Sequence, residues 1–280
     1  MQCSSSVVRW AAGGNRNLVL LGPADAATSH RFDSIEQNAD RYDRLVANMQ
    51  RLRGAVYLDD GAIQRDDLTE DGRHVSAADG HAWHVLSVDT LGRVRGCARY
   101  LAHRSNVTFS ELGIRNSALA AHPVWGDRLR RAVENDIAQA RRQGVSYVEV
   151  GGWALHKAAR RSFEALRIAL ATYALSRQLG GCIGISTATT RHCSAMILQK
   201  IGGRMLDHAG MTLPAYFEPT YGCEMMMLRF DSNEANDRYS SLLNNLYSQF
   251  ATIPVIMRST ARASAPESWP YLGEPMLTYA

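Results

Sequence analysis

The sequence predicts a mixed α/β chain, of the α+β kind, in which helices flank one sheet. Three observations predict it. Residues 82–88 are apolar with alternation, residues 89–92 (Asp-Thr-Leu-Gly) turn, and residues 93–101 resume as strand, the signature of a hairpin. Residues 127–144 and 157–179 read as helices and stop at Gly144 and at Gly180-Gly181. Apolar runs at 146–150 and 182–187 follow them as strands. From 82 to 230 the order is therefore β-β-α-β-α-β-α-β-β, neither a regular βαβ alternation nor an all-β pattern. A mixed sheet with helices on both sides satisfies it.

Taken in order, residues 1–30 form a pattern-poor arm in which the apolar run 18–21, closed by Gly22-Pro23, is a strand or part of the arm. From 32 to 53, Ile35, Ala39, Tyr42, Leu45, Val46, Met49 and Leu52 recur near a period of 3.6, predicting a helix that Gly54 ends. Residues 55–58 (Ala-Val-Tyr-Leu) are a short strand candidate, and the polar stretch 59–81 reads as loop. Residues 103–123 look irregular. In the helix 127–144, Leu129, Ala132, Val133, Ile137 and Ala140 share one face. A shorter helix at 191–201 closes at Gly202-Gly203, strands follow at 204–208 and 221–230, and a last helix covers 232–250. The tail 251–280 is extended and carries Trp269, Tyr271, Leu272, Met276, Leu277 and Tyr279. So many apolar groups imply packing on its own domain or on a second subunit, as in a homodimer. The organisation expected is an arm (1–30), a main domain (31–231) and a C-terminal helix with its tail (232–280).

Composition excludes several classes. Hydrophobic residues make up 46% and charged residues 21%, ordinary for a soluble globular chain. The net charge of +4 favours anionic ligands and is too small to argue for nucleic acid. The basic run Arg128, Arg130, Arg131, Arg141 and Arg142 is interleaved with Glu134 and Asp136, as on a solvated helix face. The five cysteines are scattered, without CxxC spacing, which points to a reducing, cytoplasmic setting. No run approaches a membrane span. The nine histidines show no HxxxH or HExxH spacing, so no metal site is expected. Neither GxSxG nor a Walker pattern occurs.

Three segments carry a resemblance: residues 52–57 (LRGAVY), residues 79–101 (DGHAWHVLSVDTLGRVRGCARYL, with Gly96 and Arg99), and residues 149–155 (EVGGWAL). With the element order, they resemble the GNAT superfamily of N-acyltransferases over roughly residues 40–230, about two thirds of the chain. The likeness is greatest to the autoinducer-synthase-like branch, which includes N-acyl amino acid synthases. It implies a mostly antiparallel sheet splayed at its central parallel strands. It also implies an acyl-CoA or acyl-carrier-protein thioester as co-substrate, no permanently bound cofactor, a small amine such as an amino acid as acceptor, and a carrier protein as a potential partner. One departure stands out: homoserine-lactone synthases carry an arginine three residues after the central glutamate, and here that place is Gly152.

The residues give this reading its chemistry. Gly151-Gly152 is where a bulge that splays the strands would be cheap. Val150, Gly151, Gly152, Trp153 and Leu155 would then line the pantetheine slot. Arg160, Arg161, Ser162, Phe163 and Ala165 resemble the superfamily's pyrophosphate loop, with Phe163 in place of its glycine; without the fold they read as the solvated face of a helix. Glu149, in an apolar run, is a candidate general base, since an attacking amine must lose its proton. Arg99 is a candidate clamp for an acceptor carboxylate. The superfamily's usual tyrosine, which protonates the leaving thiolate, is replaced near Ile197 and Leu198, leaving a serine or water in its place, with Ser194 and His192 as candidates. A non-catalytic acyl-thioester-binding or sensing module of the same fold is the alternative.

Overall fold

A computed structural model describes residues 17–24, 26, 31–160, 162–250 and 252–258. The long tail beyond 258, with its aromatic residues, and Arg161 lie outside the described residues.

Helix α1 spans Ala39–Asp59 and starts at Asn38, whose Oδ1 accepts the Arg41 amide at 2.9 Å. It continues through the expected stop and the expected strand at 55–58. A Cβ on Gly54 would lie 2.7 Å from the Gly72 carbonyl oxygen and 2.9 Å from Leu68. That glycine therefore serves the close approach of a loop and does not end the helix. Val56 and Tyr57 extend the buried stripe of Tyr42, Leu45, Met49 and Leu52 against the sheet, so packing overrides a local strand preference.

The main sheet contains β1 (Asn17–Leu21), β2 (Ile35–Gln37), β3 (Trp83–Val88), β4 (Val94–Ala102), β5 (Ser146–Leu155), β6 (Cys182–Thr189), β7 (Arg204–Met205), β10 (Tyr216–Glu218), β11 (Cys223–Asp231) and β12 (Val255–Met257). Its order is β10-β11-β6-β5-β4-β3-β1-β12-β2, with β7 also on β11; β8 (Asp207–His208) and β9 (Met211–Thr212) pair separately. The β5–β6, β1–β12 and β12–β2 pairs are parallel and the rest antiparallel. Both ends of the described chain thus enter the sheet: residues 17–21, expected as strand or arm, pair with β3, and residues 255–257, expected as extended tail, bridge β1 to β2.

Helices cover both faces. On one, α1 packs over the β12, β1, β3 and β4 side, and α2 (Gly126–Gln143) packs over β5 and β6. The other carries α3 (Glu164–Gln178), α4 (Ser194–Lys200) and α5 (Ser240–Gln249). The helix expected from 157 begins only at Glu164, after a single 3-10 turn at Lys157–Ala159 started by His156. The last helix likewise starts late, at Ser240.

Two features of the centre position the site. The β5–β6 ladder runs from Ser146–Cys182 to Glu149–Ile185 and stops there, although β5 continues to Leu155 and β6 to Thr189. The central parallel strands therefore part just beyond Glu149. On its other side β5 pairs with β4 through an irregularity: Cys97 faces Ala154 and Arg99 faces Gly151, so Gly152 and Trp153 together oppose Ala98. Gly152 takes φ +61°, the left-handed conformation that suits glycine at a bulge. The strand expected to end at Val150 thus bends there and runs on.

Candidate functional site

Two cavities lie on opposite faces of the sheet around the β4–β5 bulge. On the α3 face, Ala98 and Tyr100 of β4, Val150 and Trp153 of β5, and Ser186 and Cys182 of β6 bound a narrow cavity. Its roof is one stripe of α3, with Leu198 and Ile201 beside it and Phe230 and Ser232 from β11. On the α1 face, Arg53, Tyr57, Gln64, Asp67, His74, Ser76, Arg99, Gly152 and Tyr221 are among the residues lining a wider, more polar cleft. Alternation along β4 and β5 creates the pair: Ala98 and Tyr100 point one way, Arg99 the other, and the bulge lets Gly152 and its neighbour Trp153 serve opposite sides.

The cleft is built around one buried carboxylate. Asp79 receives Nη1 and Nη2 of Arg53 at 2.8 and 2.6 Å and the Gln50 amide at 2.9 Å. Arg99 lies 3.8 Å from the same carboxylate and donates to Ser76 Oγ at 2.8 Å. Burial opposes the charge on Asp79, but Arg53 and its hydrogen bonds overcome that and hold the carboxyl well below the usual range. Two guanidiniums therefore share one carboxylate, leaving an excess positive charge at the wall of the cleft. Burial, reinforced by the nearby arginines, depresses His74 and His84 to about 4, so both imidazoles are neutral at pH 7. His84 Nε2 donates to the Asp79 carbonyl at 2.9 Å.

Among the sequence-predicted site residues, Val150 and Trp153 line the α3-side cavity, and Arg99 and Gly152 the cleft. Gly151 pairs with Arg99 in the ladder. Leu155 is buried, and its carbonyl accepts Arg160 Nε at 3.3 Å. Arg160 also meets Asp60 at 3.5 Å, Ser162 Oγ donates to the Ala159 carbonyl at 2.7 Å, and Ala165 lies in the core. Phe163 is exposed before α3, whose first residue, Glu164, brings a carboxylate to the helix start. These contacts turn the loop's described polar groups inward.

Glu149 is where the expectation changes most. It faces the α2 side, 2% exposed, and lines neither cavity. Its oxygens accept His103 Nε2 at 2.9 Å and the Gly113 and Ile114 amides at 3.2 Å each, so it anchors the 113–116 turn to β5. Ser194 is also buried, and it lines neither cavity. The groups that line the cleft and can accept a proton are Asp67 and His74. Sequence reading missed Arg53, His74, Ser76 and Asp79. The available signal was Ser76-x-x-Asp79, a capping box that the structure forms. Among the described residues no group of three or more His, Cys, Asp or Glu could hold a metal ion, and no helix is long and apolar enough to cross a membrane.

A mixed sheet that opens between its central parallel strands, with a bulge on β5 and helices on both faces, is a GNAT-like fold. Solved structures share it. A CoA-dependent acyl-homoserine lactone synthase, BjaI, with SAM and isopentyl-CoA, matches with a TM-score of 0.52 at 14% identity, over 89% of this chain and 96% of its own. Another CoA-dependent acyl-homoserine lactone synthase, MesI, matches with a TM-score of 0.50 at 15% identity, over 83% and 95%. No family model matches the sequence, and no curated protein matches it. At these identities the likeness is one of fold.

Proposed function

We propose that this protein is an N-acyltransferase that moves an acyl group from a pantetheine thioester, on CoA or on a carrier protein, to a small amine bearing a carboxylate. The observation that carries this reading is the pair of cavities of opposite character on the two faces of the sheet at the β4–β5 bulge, beside the gap beyond Glu149–Ile185. The apolar one suits an acyl chain. The polar one, with Arg99 and Arg53 sharing Asp79, suits a carboxylate-bearing acceptor. The unpaired edges of β5 and β6 would hold the pantetheine arm, and that arm brings the thioester carbon between the cavities. The amine nitrogen attacks this carbon, the C–S bond breaks, and the sulfur leaves as a thiolate that takes a proton from water. The proton lost by the amine passes to His74, Asp67 or water in the cleft. Glu149 keeps a positioning role in this scheme, holding β5 where it departs from β6. The binding of SAM by one solved relative of this fold is compatible with a methionine-derived acceptor, and plain amino acids are equally suited to the charge pattern.

The test incubates the purified protein with acyl-CoA or acyl-carrier protein and a mixture of amino acids and SAM, following thiol release and identifying amide products by mass spectrometry. An amide product is expected. Arg99→Gln should raise KM for the acceptor by at least tenfold, the cost of about 1.5–3 kcal/mol for a lost charged hydrogen bond, with donor affinity unchanged. Tight thioester binding without thiol release for any amine would make the protein a binding module.

A further inference from the structure

Beyond Leu155 and Thr189 the two parted strands end. Three segments meet at this outer end of the gap: the stretch leading from β5 into α3, the turn leading from β6 into α4, and the last residues of α1. A pantetheine arm lying in the gap, with its thioester inside, would bring its phosphate end here. Phosphate is bound best by backbone N–H groups at a helix start and by guanidinium forks. Both stand at this end, and both are already matched by carboxylates of the protein itself.

Asp60 caps α1 at its C-terminus, the negative pole of the helix, and no basic residue lies in the last turn. A carboxylate there is unfavourable unless cations reach it from elsewhere. Arg160 does so: its Nη1 lies 3.5 Å from Asp60 Oδ1, its Nε donates to the Leu155 carbonyl at 3.3 Å, and its Nη2 is out of solvent. Arg191, from the β6 side, donates to the Asp60 carbonyl at 2.8 Å and to the Gly222 carbonyl. Asp60 therefore ties the segments that follow both parted strands to the end of α1. Beside it, Lys157 pairs with Asp59 at 2.7 Å.

At the start of α3 the helix supplies its own anion. Glu164 lies in the first turn and is 8% exposed. Its amide donates to Ser162 Oγ at 3.2 Å, and Arg167 lies 3.6 Å from its carboxylate. Phe163 stands before it with its ring exposed. The described cations at this end thus have protein partners, and Asp60 and Glu164 put negative charge beside the groups that an incoming diphosphate would need.

We infer that Asp60 and Glu164 are specificity-determining residues for the donor, selecting a pantetheine thioester carried on a single phosphodiester, as on a carrier protein, against the nucleotide diphosphate of CoA. The inference rests on the proposed acyl-transfer reading and names its donor. CoA brings a diphosphate and a ribose phosphate towards two buried carboxylates. Phosphopantetheine esterified to a protein hydroxyl brings one charge. Repulsion between like charges a few ångströms apart in partly buried surroundings is enough to weaken binding by about tenfold or more.

The test measures binding of three hexanoyl thioesters to the full chain by titration calorimetry, with no acceptor present. They are hexanoyl-pantetheine, which is neutral there, the methyl phosphodiester of hexanoyl-phosphopantetheine, and hexanoyl-CoA. The native protein should bind the phosphodiester about tenfold more tightly than the CoA thioester. Asp60→Asn and Glu164→Gln, singly and together, should strengthen hexanoyl-CoA binding by up to about tenfold each and leave hexanoyl-pantetheine unchanged. The gain should fade as salt rises from about 50 to about 500 mM, and Asp60→Glu should keep the native ranking. Two independent sites keep the matter open to decision if one variant misfolds. A purely structural role would move all three thioesters alike, and that result would overturn the selection, as would a native protein that binds the CoA thioester as tightly as the phosphodiester. Amide formed as efficiently from hexanoyl-CoA as from a hexanoyl carrier protein would also overturn it while keeping the acyl-transfer reading. The expected gains with no amide from any donor would sink that reading and leave the selection standing. No binding of any of the three would sink both.

Discussion

At Gly152 a single missing side chain holds two functions together. Its φ of +61° is a conformation in which a Cβ costs about 1–2 kcal/mol. A Cβ there would also lie 3.1 Å from Arg99 Cβ and 3.6 Å from Arg53 Nη1. The Gly152 carbonyl accepts the Cys97 thiol at 3.3 Å, which helps fix the bulge. Gly152→Ala is therefore expected to destabilise the fold by about 1–3 kcal/mol through strain and to displace Arg99. In an acyl-transfer assay the acceptor KM should rise severalfold more than any change in donor affinity. Gly96→Ala is the comparison. There the added Cβ would strike Ile168 at 2.4 Å and Leu155 at 2.9 Å, both core side chains. It should lower stability, by denaturant midpoint, and leave the acceptor KM alone. Equal acceptor effects from both variants would mean that Gly152 matters only for packing.

Among the elements, the segment 74–84 behaves differently from its composition. A polar loop reads as solvated, yet Ser76, Asp79 and His84 are buried because their charges and donors meet one another and α1. Long-range pairing of this kind leaves no periodic trace, which is why the cleft was largely illegible in sequence whereas the hairpin at 82–101 and the Gly-Gly bulge were legible. The run 55–58 failed for a related reason: four apolar residues satisfy a strand or a helix equally, and only the continuing stripe of α1 decides. Arg99 comes from the resemblance of residues 79–101, and the structure puts it on the wall of the cleft; Glu149 reads as a carboxylate in an apolar strand, but its direction depends on which face α2 covers. The same burial predicts a pH dependence. His84 and His74 titrate near 4 when folded and near 6.5 when unfolded, so the unfolded chain binds more protons between those values. Stability is full above about pH 6.5 and falls as pH drops toward 4, by about 3 kcal/mol from His84, with a smaller part from the more solvated His74. Asp79, held low, stays ionised through this window. Denaturant midpoints at pH 7 and 4.5 should show the loss, and His84→Gln should shrink it. An unchanged slope in that variant would place the acid sensitivity elsewhere.

At the scale of the whole molecule, one side of the sheet joins the first and last strands of the described residues. Leu20 pairs with Val255 and Leu21 with Ile256 in a parallel ladder whose strands are separated by almost the full described sequence. Val255 and Ile256 are fully buried, one packing with the α3-side core and the other with the α1-side core. The α3-side core also contains Trp153 and Ala98, which line the α3-side cavity, and the α1-side core contains Tyr57, which lines the cleft. A three-residue strand thus touches the hydrophobic layers beneath both cavities. If these layers unfold as one unit, weakening β12 lowers the stability of strands it never contacts. Val255→Ala with Ile256→Ala should cost about 4–8 kcal/mol, two truncations of fully buried side chains at 2–5 kcal/mol each less partial relaxation. That is a large share of the stability of a typical domain, about 5–15 kcal/mol. Native-state hydrogen exchange distinguishes the outcomes. Global coupling predicts that the slowest amides of β5 and β6 lose protection by the same free energy as those of β1. Loss confined to β1, β2 and β12, with β5 and β6 unchanged, would show that these strands form a separable flap and that the α3-side cavity draws no support from them.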